Sequence, residues 1–449
     1  MKNLNTLSAA TAAAGIRTKK FTSEELISDC LNRLNNREDD IQAWSYINAE
    51  HALEQAKKAD KHQNEGGSLG PLHGIPIGIK DVIDTEDMPT ENGSPIYEGR
   101  RPQKDALCIA ALRRAGAIIF GKTVTTEFAN INPSKTRNPH NIQHSPGGSS
   151  AGSGASVADF HVPVALGTQT GGSVIRPASF NGVFGLKPTL GLIPRSGILL
   201  QSHTLDTIGI YGRTLEDLAL VLDSISIRDP NDAHSYRGSI GSFQTEYSKT
   251  SKHQPKFAFL ETPAWNEGHS ASKNAILKIT KILGQNCEKE TLPDPFNKII
   301  DLHAAVFSSE NAYYYGKYLI SHPDLLSKKL RNRLEATRNA LASDYLAALE
   351  ARNVIYNSVE TLLGNYDAII CLSAPGPAPH GFETTGSAIF NGLWTYLGVP
   401  CISLPLLTVE GLPQGIQLVG KRGEEGKLFR SALKLEQTLD GKLDQNFKY

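Results

Sequence analysis

The spacing of apolar residues predicts helices and buried strands that alternate along the chain. From Thr22 to about Lys61, apolar residues recur at the spacing of one helix face, and Thr22 followed by glutamates is typical of a capped helix start. The run LHGIPIGIKDV, residues 72–82, predicts a buried strand that delivers Lys80 to a loop. Because removing an ammonium charge from water is costly, a lysine in apolar surroundings is a candidate functional residue.

The same alternation continues to the C-terminus. Residues 145–185 hold the densest concentration of Gly and Ser, with the apolar run VPVAL between two Gly-rich loops, and we expect the active centre there. From about 230 to 365 the chain changes to long polar helices, interrupted by the strand-like run KFAFLE. Further predictions are a helix over 105–115, a strand in AIIFGK ending at Lys122, strands in DAIICLSAP, VPCISLPL and GIQLVGK, and a closing helix from Glu425 to Leu439.

Strands and helices intermix over the whole length, and no repeat, low-complexity tract or charged linker marks a boundary. The prediction is therefore one α/β domain over residues 1–449, with a mixed twisted β-sheet covered by helices on both faces. Its expected parts are an N-terminal helical layer, a core with the Gly-rich loops, a variable helical cover, and C-terminal strands and a helix that complete the core. These parts span residues 1–65, 66–229, 230–365 and 366–449.

Composition narrows the class of protein. Lys plus Arg and Asp plus Glu number 46 each in 449 residues, so no net field attracts the chain to nucleic acid or to anionic membranes. No stretch approaches the ~18 apolar residues of a transmembrane helix, and the N-terminus lacks the apolar core of a signal peptide. We expect a cytoplasmic protein whose partner is a small-molecule substrate. A homodimer is the commonest oligomer for such a protein.

The five cysteines show neither CxxC spacing nor a nearby His cluster, so we expect reduced thiols rather than disulfides. Cys371 and Cys401 lie in apolar runs, where a free cysteine behaves as a small buried hydrophobe. The sequence contains no metal-ligand spacing, and we predict neither a metal site nor a cysteine nucleophile.

Candidate chemistry lies in the runs GIKD with Lys80, GGSSAGS with Ser149 and Ser150, and GTQTGGS with Ser173. Taken singly, either serine loop could be an ordinary turn. Together they place glycines directly before Ser173, where the backbone can approach a ligand and aim successive N–H groups at one point. Such donors stabilise the oxyanion that forms when a hydroxyl attacks a carbonyl. The expected donors are the backbone N–H groups of Thr170, Gly171, Gly172 and Ser173.

A serine hydroxyl is a poor nucleophile until a base takes its proton, and neither serine loop contains a histidine. Burial lowers the pKa of a lysine, so neutral Lys80 is a candidate base, and a second serine can pass the proton between them. A Ser-His-Asp arrangement using His73, His140 or His144 is a less favoured alternative, because that triad is recognised by geometry.

The runs GGSSAGSGA and LGTQTGGSVIRPASFNGVFGLKPT resemble the amidase signature family, whose hallmark is a Gly-Gly-Ser-Ser loop followed by a Gly-Gly-Ser loop. The spacing between Ser149 and Ser173 fits, and GIPIGIKDV resembles the lysine motif of that family. GKTVTTEFA and the C-terminal LWTYLGVPCISLP and GLPQGIQLVGK extend the resemblance over nearly the whole chain. Residues 230–365 show the least resemblance to the family.

This resemblance implies a single amidase-signature domain that hydrolyses a linear amide without a cofactor. It assigns Lys80 as the base, Ser149 as a bridging serine in a cis conformation, and Ser173 as the nucleophile that forms an acyl-enzyme. Ammonia or an amine would leave. A catalytically dead binding protein on this scaffold is disfavoured because all three residues are retained. Which amide, ester or hydrazide is the substrate stays open.

The chain departs from the family pattern at two positions. Gln169 stands where many members have Asp, and Ile175 stands where many have Arg, with Arg176 one position later. These departures favour a simple amidase over the glutaminase-type subunit of a tRNA-dependent amidotransferase, which delivers ammonia to a partner and is the alternative function. Arg176, Gln169 and Ser150 are the candidate substrate-binding residues. Arg176 could bind a substrate carboxylate or pair internally with Asp or Glu, and Ser150 could instead stabilise its loop.

Other polar residues near these motifs have structural interpretations. We expect Asp81 to cap its loop, and Thr125, Glu127 and Asn130 to support the site through packing and hydrogen bonds. The aromatic run from Tyr313 to Tyr315 could line a pocket, although packing on a surface helix is favoured.

Overall fold

Strand pairing joins both ends of the chain into one mixed sheet. The structure, a computed structural model, describes residues 3–249 and 253–443. The strands are β1 (Trp44–Ile47), β2 (Pro76–Lys80), β3 (Ile118–Thr123), β4 (Val164–Gln169), β5 (Phe184–Lys187), β6 (Thr207–Gly212), β7 (Phe257–Leu260), β8 (Cys287–Glu290), β9 (Ala368–Leu372), β10 (Cys401–Val409) and β11 (Leu412–Val419). They form an 11-stranded sheet in the order β1-β3-β2-β4-β6-β5-β10-β11-β9-β7-β8.

Helices cover both faces of this sheet, as predicted. They are α1 (Ala9–Arg17), α2 (Ser23–Ile41), α3 (Ala49–Asn64), α4 (Leu107–Arg114), α5 (Ala151–Ala158), α6 (Ile175–Asn181), α7 (Leu215–Ile225), α8 (Phe243–Ser248), α9 (Ser270–Leu283), α10 (Ile299–Tyr315), α11 (Tyr318–Ser321), α12 (Lys328–Thr337), α13 (Ala342–Asn365), α14 (Ile389–Leu397) and α15 (Glu425–Leu439). Helices α5 and α6 pack together on the sheet, and α4, α7, α8 and α15 form a separate connected layer. The α/β prediction is confirmed.

The stretch from Thr22 to about Lys61, predicted to be helical, forms two helices with a strand between them. Thr22 and Glu25 form the expected capping box at the start of α2, but the helix ends at Ile41 and Gln42 takes a left-handed conformation with φ 52°. The next residues form β1, which pairs antiparallel with β3 at the sheet edge. Aromatic and β-branched side chains in the run WSYI suit a strand, which explains the break.

The other strand predictions in the first half and at the C-terminus are confirmed, and α15 has the predicted bounds. The region 230–365 contributes helices α8 to α13, but it also contributes two strands to the end of the sheet. The run KFAFLE predicted β7. Strand β8 was missed, because its sequence CEKE is polar and its side chains are largely accessible.

The structure adds two observations on composition. All five cysteines are free thiols, and Cys30, Cys108, Cys371 and Cys401 are buried. Within residues 3–249 and 253–443, no helix combines the length and apolar character needed to cross a lipid bilayer.

The sheet brings the motif residues together at the carboxyl ends of three neighbouring strands. β2 is parallel to both β3 and β4, so the carboxyl ends of these three strands lie together. Lys80 is the last residue of β2, and Gln169, the last residue of β4, leads into the loop that carries Ser173. The loop with Ser149 leads directly into α5, which packs on β2, β3 and β4.

Helix α5 approaches the end of β3 closely at Gly152. The Gly152 N–H donates to the Val124 carbonyl over 3.0 Å. A Cβ at Gly152 would lie 2.1 Å from the Ala43 carbonyl oxygen, which is backbone and cannot move aside as a flexible side chain would. A glycine is therefore required for the helix that begins after Ser149 to reach this position.

Gly152→Ala is expected to destabilise the protein by at least about 2 kcal/mol, because the added methyl overlaps a backbone carbonyl. Gly364→Ala is the matched control, since Gly364 also lies in a helix and a Cβ there meets nothing within 4 Å. That variant should gain up to about 1 kcal/mol from helix propensity. Urea unfolding of both variants measures the difference, and equal stabilities would contradict the close approach.

Candidate active site

A cavity of about 280 Å³ opens at the edge of the sheet where the motif residues meet. The predicted residues that line it are Ser149, Thr170, Gly171, Gly172, Ser173 and Arg176. Its other walls come from the 129–131 loop, Gln201, α10, α12 and the 385–388 loop. The structure therefore brings the two serine loops together at one cavity.

Lys80 is fully buried beside this cavity. Its Nζ contacts Ser149 Oγ at 2.7 Å and Thr168 Oγ1 at 2.8 Å. Burial lowers the pKa of Lys80 to about 7, and the negative charge of Asp206 opposes this shift only in part. At neutral pH a substantial fraction of the amine is therefore uncharged and able to accept a proton from Ser149.

The segment around Ser149 is held by the end of β3. The Gly148–Ser149 peptide bond is cis, in agreement with the conformation that the family resemblance implies. The Ser149 carbonyl accepts from the Thr126 N–H over 3.1 Å. In α5, Ser153 Oγ lies 2.7 Å from Thr123 Oγ1. These contacts hold the Ser149 hydroxyl against the Lys80 amine.

The loop before α6 presents backbone donors to the cavity. No described residue accepts a hydrogen bond from the N–H groups of Gly171, Gly172 or Ser173. All three residues line the cavity. Because buried backbone N–H groups are nearly always paired, donors left free beside a cavity suit an anionic or carbonyl ligand.

Ser150 does not line the cavity. Its Oγ donates to the Thr168 carbonyl and accepts from the Thr168 N–H, each over 3.2 Å. The Thr168 hydroxyl is one of the two groups that Lys80 contacts. Of the two interpretations left open for Ser150, the geometry favours the stabilising one.

Gln169 also points away from the cavity. Its Oε1 accepts from the N–H groups of Val174 and Ile175 over 2.8 and 3.0 Å, and its Nε2 donates to Thr395 Oγ1 over 2.9 Å. Both the oxygen and the nitrogen of the Gln169 side-chain amide are therefore bonded, and they join the start of α6 to α14. Gln169 therefore supports the loop, and the expectation of direct substrate contact does not match its position.

Arg176 lines the cavity, and no acidic residue in the described ranges pairs with it. Its Nη2 donates to the Gly148 carbonyl over 2.5 Å and to Thr385 Oγ1 over 3.3 Å, while its Nε has no partner among the described residues. Burial lowers the pKa of Arg176 to about 10. The internal pair with Asp or Glu is absent from the described part of the chain, which leaves a buried cation facing the cavity.

Five cavity residues lie in the helical region 230–365, and none of them was predicted as a site residue: His303, Ala304, Phe307, Ser308 and Arg333. His303 of α10 lies with its Nε2 3.1 Å from the Thr170 carbonyl oxygen, and burial lowers the pKa of His303 to about 4. Arg333 of α12 donates from Nη1 to Asn130 Oδ1 over 3.1 Å, and its guanidinium lies 4.4 Å from the centre of the Phe307 ring. Nothing in the local sequence indicates that either residue faces the serine loops.

The charge of the cavity wall is positive. Among its lining residues there are two arginines, Arg176 and Arg333, and no Asp or Glu. Neither arginine forms a salt bridge with another residue that the structure describes. His303 is uncharged at neutral pH because burial lowers the pKa of its imidazole. A negatively charged ligand group would therefore meet unpaired cations.

Comparison with known proteins agrees with this geometry. The model of the amidase family matches residues 25–429. The chain belongs to the amidase signature family. Its curated relatives include a glutamyl-tRNA(Gln) amidotransferase subunit from Clostridium botulinum, with 33% identity over 94% of this chain and 95% of the relative. The corresponding subunit from Natranaerobius thermophilus is also 33% identical, over 97% of this chain and 96% of the relative.

Solved structures share the fold over nearly the full length. The peptide amidase of Stenotrophomonas maltophilia superimposes with a TM-score of 0.83 at 28% identity, covering 96% of both chains. A chain from a vestigial complex linked to the origins of an s-triazine catabolic enzyme gives a TM-score of 0.90 at 25% identity, covering 96% and 98%.

Of the other residues near the motifs, Asn130 lines the cavity, whereas the histidines, Asp81 and the tyrosine run of this amidase-family chain do not. His73, His140 and His144 are not among its lining residues, so the Ser-His-Asp alternative has no geometric support. The Asp81 carboxylate accepts from the Glu91 N–H over 3.1 Å, which is the expected loop cap. Tyr313 is exposed and Tyr315 packs on Phe128, and neither lines the cavity.

Proposed function

We propose that this chain hydrolyses a small carboxamide that also carries a carboxylate, releasing ammonia or an amine. Ser173 is the nucleophile, and Lys80 is the base that acts through Ser149. The observation that carries the proposal is the buried Lys80 amine, 2.7 Å from the hydroxyl of a serine that shares its cavity with Ser173.

The first step is the attack on the amide. Neutral Lys80 accepts the Ser149 proton while Ser149 accepts the Ser173 proton, and Ser173 Oγ bonds to the carbonyl carbon. The carbonyl oxygen becomes an oxyanion. The free N–H groups of the 171–173 loop would donate to it, and each such donor typically contributes about 3 kcal/mol to lowering the barrier.

The second step returns the proton. As the carbon–nitrogen bond breaks, the Lys80 ammonium gives a proton through Ser149 to the leaving nitrogen, which departs as ammonia or an amine. An ester on Ser173 remains. Water then attacks this ester with the same groups as base and acid, and the carboxylate product leaves with Ser173 restored.

The charge of the cavity supports an acidic substrate. Arg176 and Arg333 face a volume of about 280 Å³ that contains no acidic side chain, which suits a small molecule with one carboxylate. A guanidinium binds a carboxylate through charge-assisted hydrogen bonds.

A second candidate function shares this chemistry. The curated relatives at 33% identity are subunits of glutamyl-tRNA(Gln) amidotransferase. A chain of that kind would release ammonia for a partner enzyme rather than act alone. Glutamine carries both a carboxamide and a carboxylate, so the same cavity charge would suit it. The two candidates differ in whether the isolated chain turns over.

Ammonia release from a panel of small amides tests the proposal. The isolated protein should hydrolyse amides that carry a carboxylate in preference to neutral amides of equal size. Ser173→Ala and Lys80→Ala should lose at least about 1,000-fold in kcat, because the nucleophile and its base act as a unit. Ser343→Ala, an exposed serine in α13, is the control. A folded wild-type protein without turnover on any amide would contradict independent hydrolysis and favour the partner-dependent function.

Arg333→Met tests the assignment of an acidic substrate. Removing one charge-assisted contact should raise KM for a carboxylate-bearing amide about 10- to 100-fold, since such a bond is worth about 1.5–3 kcal/mol. Hydrolysis of a neutral amide of the same size should change little. Arg338→Met, at the exposed end of α12, controls for loss of surface charge. Equal effects on acidic and neutral amides would contradict carboxylate binding.

A further inference from the structure

We infer that His303, which lies on α10 outside the serine loops, is a positioning residue that holds the Thr170–Gly171 peptide in the orientation needed to bind an oxyanion. The inference rests on the proposed function. It gives a helix of the 230–365 region a part in the chemistry as well as in the shape of the cavity.

Each carbonyl of the loop before α6 has its own donor. The four bonds are Thr170 O from His303 Nε2 at 3.1 Å, Gly171 O from Thr395 Oγ1 at 2.7 Å, Gly172 O from the Arg176 N–H at 3.0 Å, and Ser173 O from the Tyr211 hydroxyl at 2.9 Å. The N–H groups of residues 171 to 173 have no acceptor among the described residues. The backbone of the loop is therefore held through its carbonyl oxygens, and the Thr170 hydroxyl adds a bond to the Asp206 carboxylate.

Holding a carbonyl also fixes the next N–H group. In a trans peptide the C=O of one residue and the N–H of the next point in opposite directions within one rigid plane. The bond from His303 to the Thr170 carbonyl thus sets the direction of the Gly171 N–H. Because Gly171 and Gly172 have no Cβ, sterics alone would not prevent these peptides from turning over. Donors from outside the loop supply the missing constraint.

The donor on His303 is identified by its partner. A carbonyl oxygen only accepts hydrogen bonds, so Nε2 carries the hydrogen and the imidazole is in its Nε2–H tautomer. Burial keeps this ring neutral at physiological pH. The ring packs against Gly392 of α14, where a Cβ would lie 3.0 Å from His303 Nδ1. The imidazole therefore has a defined place between α10 and α14.

Helix α10 is itself held in register by Glu310, two turns after His303. The Glu310 carboxylate accepts from the Thr204 N–H over 3.0 Å and from the Tyr345 hydroxyl over 2.8 Å. It also accepts from the hydroxyls of Ser202 and Thr204. These bonds tie α10 to the 201–206 loop and to α13. The position of the His303 ring is thus set by the packing of α10 against α14 and by the bonds from Glu310 to the 201–206 loop and α13.

The test compares His303→Leu with His303→Gln in the full chain. Leu fills the space without a donor, whereas the Gln side-chain amide can place an N–H near the position of Nε2. Leu should lower kcat about 10- to 100-fold with KM changed less than about 3-fold, because an oxyanion donor acts in the transition state. Gln should recover most of the loss.

A second readout separates positioning from a general structural effect. An aldehyde analogue of the substrate, which forms a tetrahedral adduct with Ser173, should bind the Leu variant more weakly by the same factor as the fall in kcat. The product carboxylate should bind both proteins equally. A Leu variant with kcat within about 2-fold of wild type, or Leu and Gln variants that lose activity equally, would overturn the inference.

A crystal structure of His303→Leu tests the role of His303 independently of whether the proposed function is correct. The Thr170–Gly171 peptide should turn over or become disordered in that variant, whatever the substrate. An unchanged peptide would overturn the role of His303. Wild-type turnover that disappears in Ser173→Ala, combined with an unaffected His303→Leu, would leave the proposed function standing and remove only the inference.

Discussion

The contact between the buried Lys80 amine and the Ser149 hydroxyl is the interaction on which the site depends. Among the described residues no carboxylate bonds to Lys80, whose two partners are neutral hydroxyls, and burial lowers the pKa of Lys80 to about 7. Lys122, one strand away, shows the contrast. It bonds to the Ile83 carbonyl and lies 3.7 Å from Asp81, and its pKa falls only to about 8. Of these two buried lysines, Lys80 thus has the less compensation for its positive charge.

The sheet supplies the rigidity that this contact requires. Three adjacent parallel strands end together, so Lys80 at the end of β2 lies beside the loop of Ser173 that follows β4. Ser149 lies at the end of the long loop between β3 and α5, where its carbonyl accepts from the Thr126 N–H. Glycine at position 152 lets α5 lie against the strand end. The helices from the 230–365 region then close the cavity from the other side. Two of them add a carbonyl-binding imidazole and a guanidinium to the wall.

The sequence predicted the parts of the site that lie in short local motifs. Lys80, Ser149 and Ser173 were predicted because Gly-rich runs and a lysine at a strand end are local signals, and they lie together in the structure. His303 and Arg333 were not found, since a helical pattern shows which residues form a helix but not which cavity they face. That depends on how α10 and α12 pack against loops far away in sequence. β1 was missed for a related reason, because helix-like patterns flank it on both sides.

Covalent labelling by a fluorophosphonate tests the central claim, that neutral Lys80 activates Ser173, most directly. Because the neutral fraction of Lys80 grows as the pH rises through its pKa of about 7, the labelling rate should rise across that range and level off above it. Mass spectrometry should place the adduct on Ser173, and the Ser173→Ala protein should stay unlabelled. An adduct on another serine, or a labelling rate independent of pH between about 6 and 8, would contradict the account.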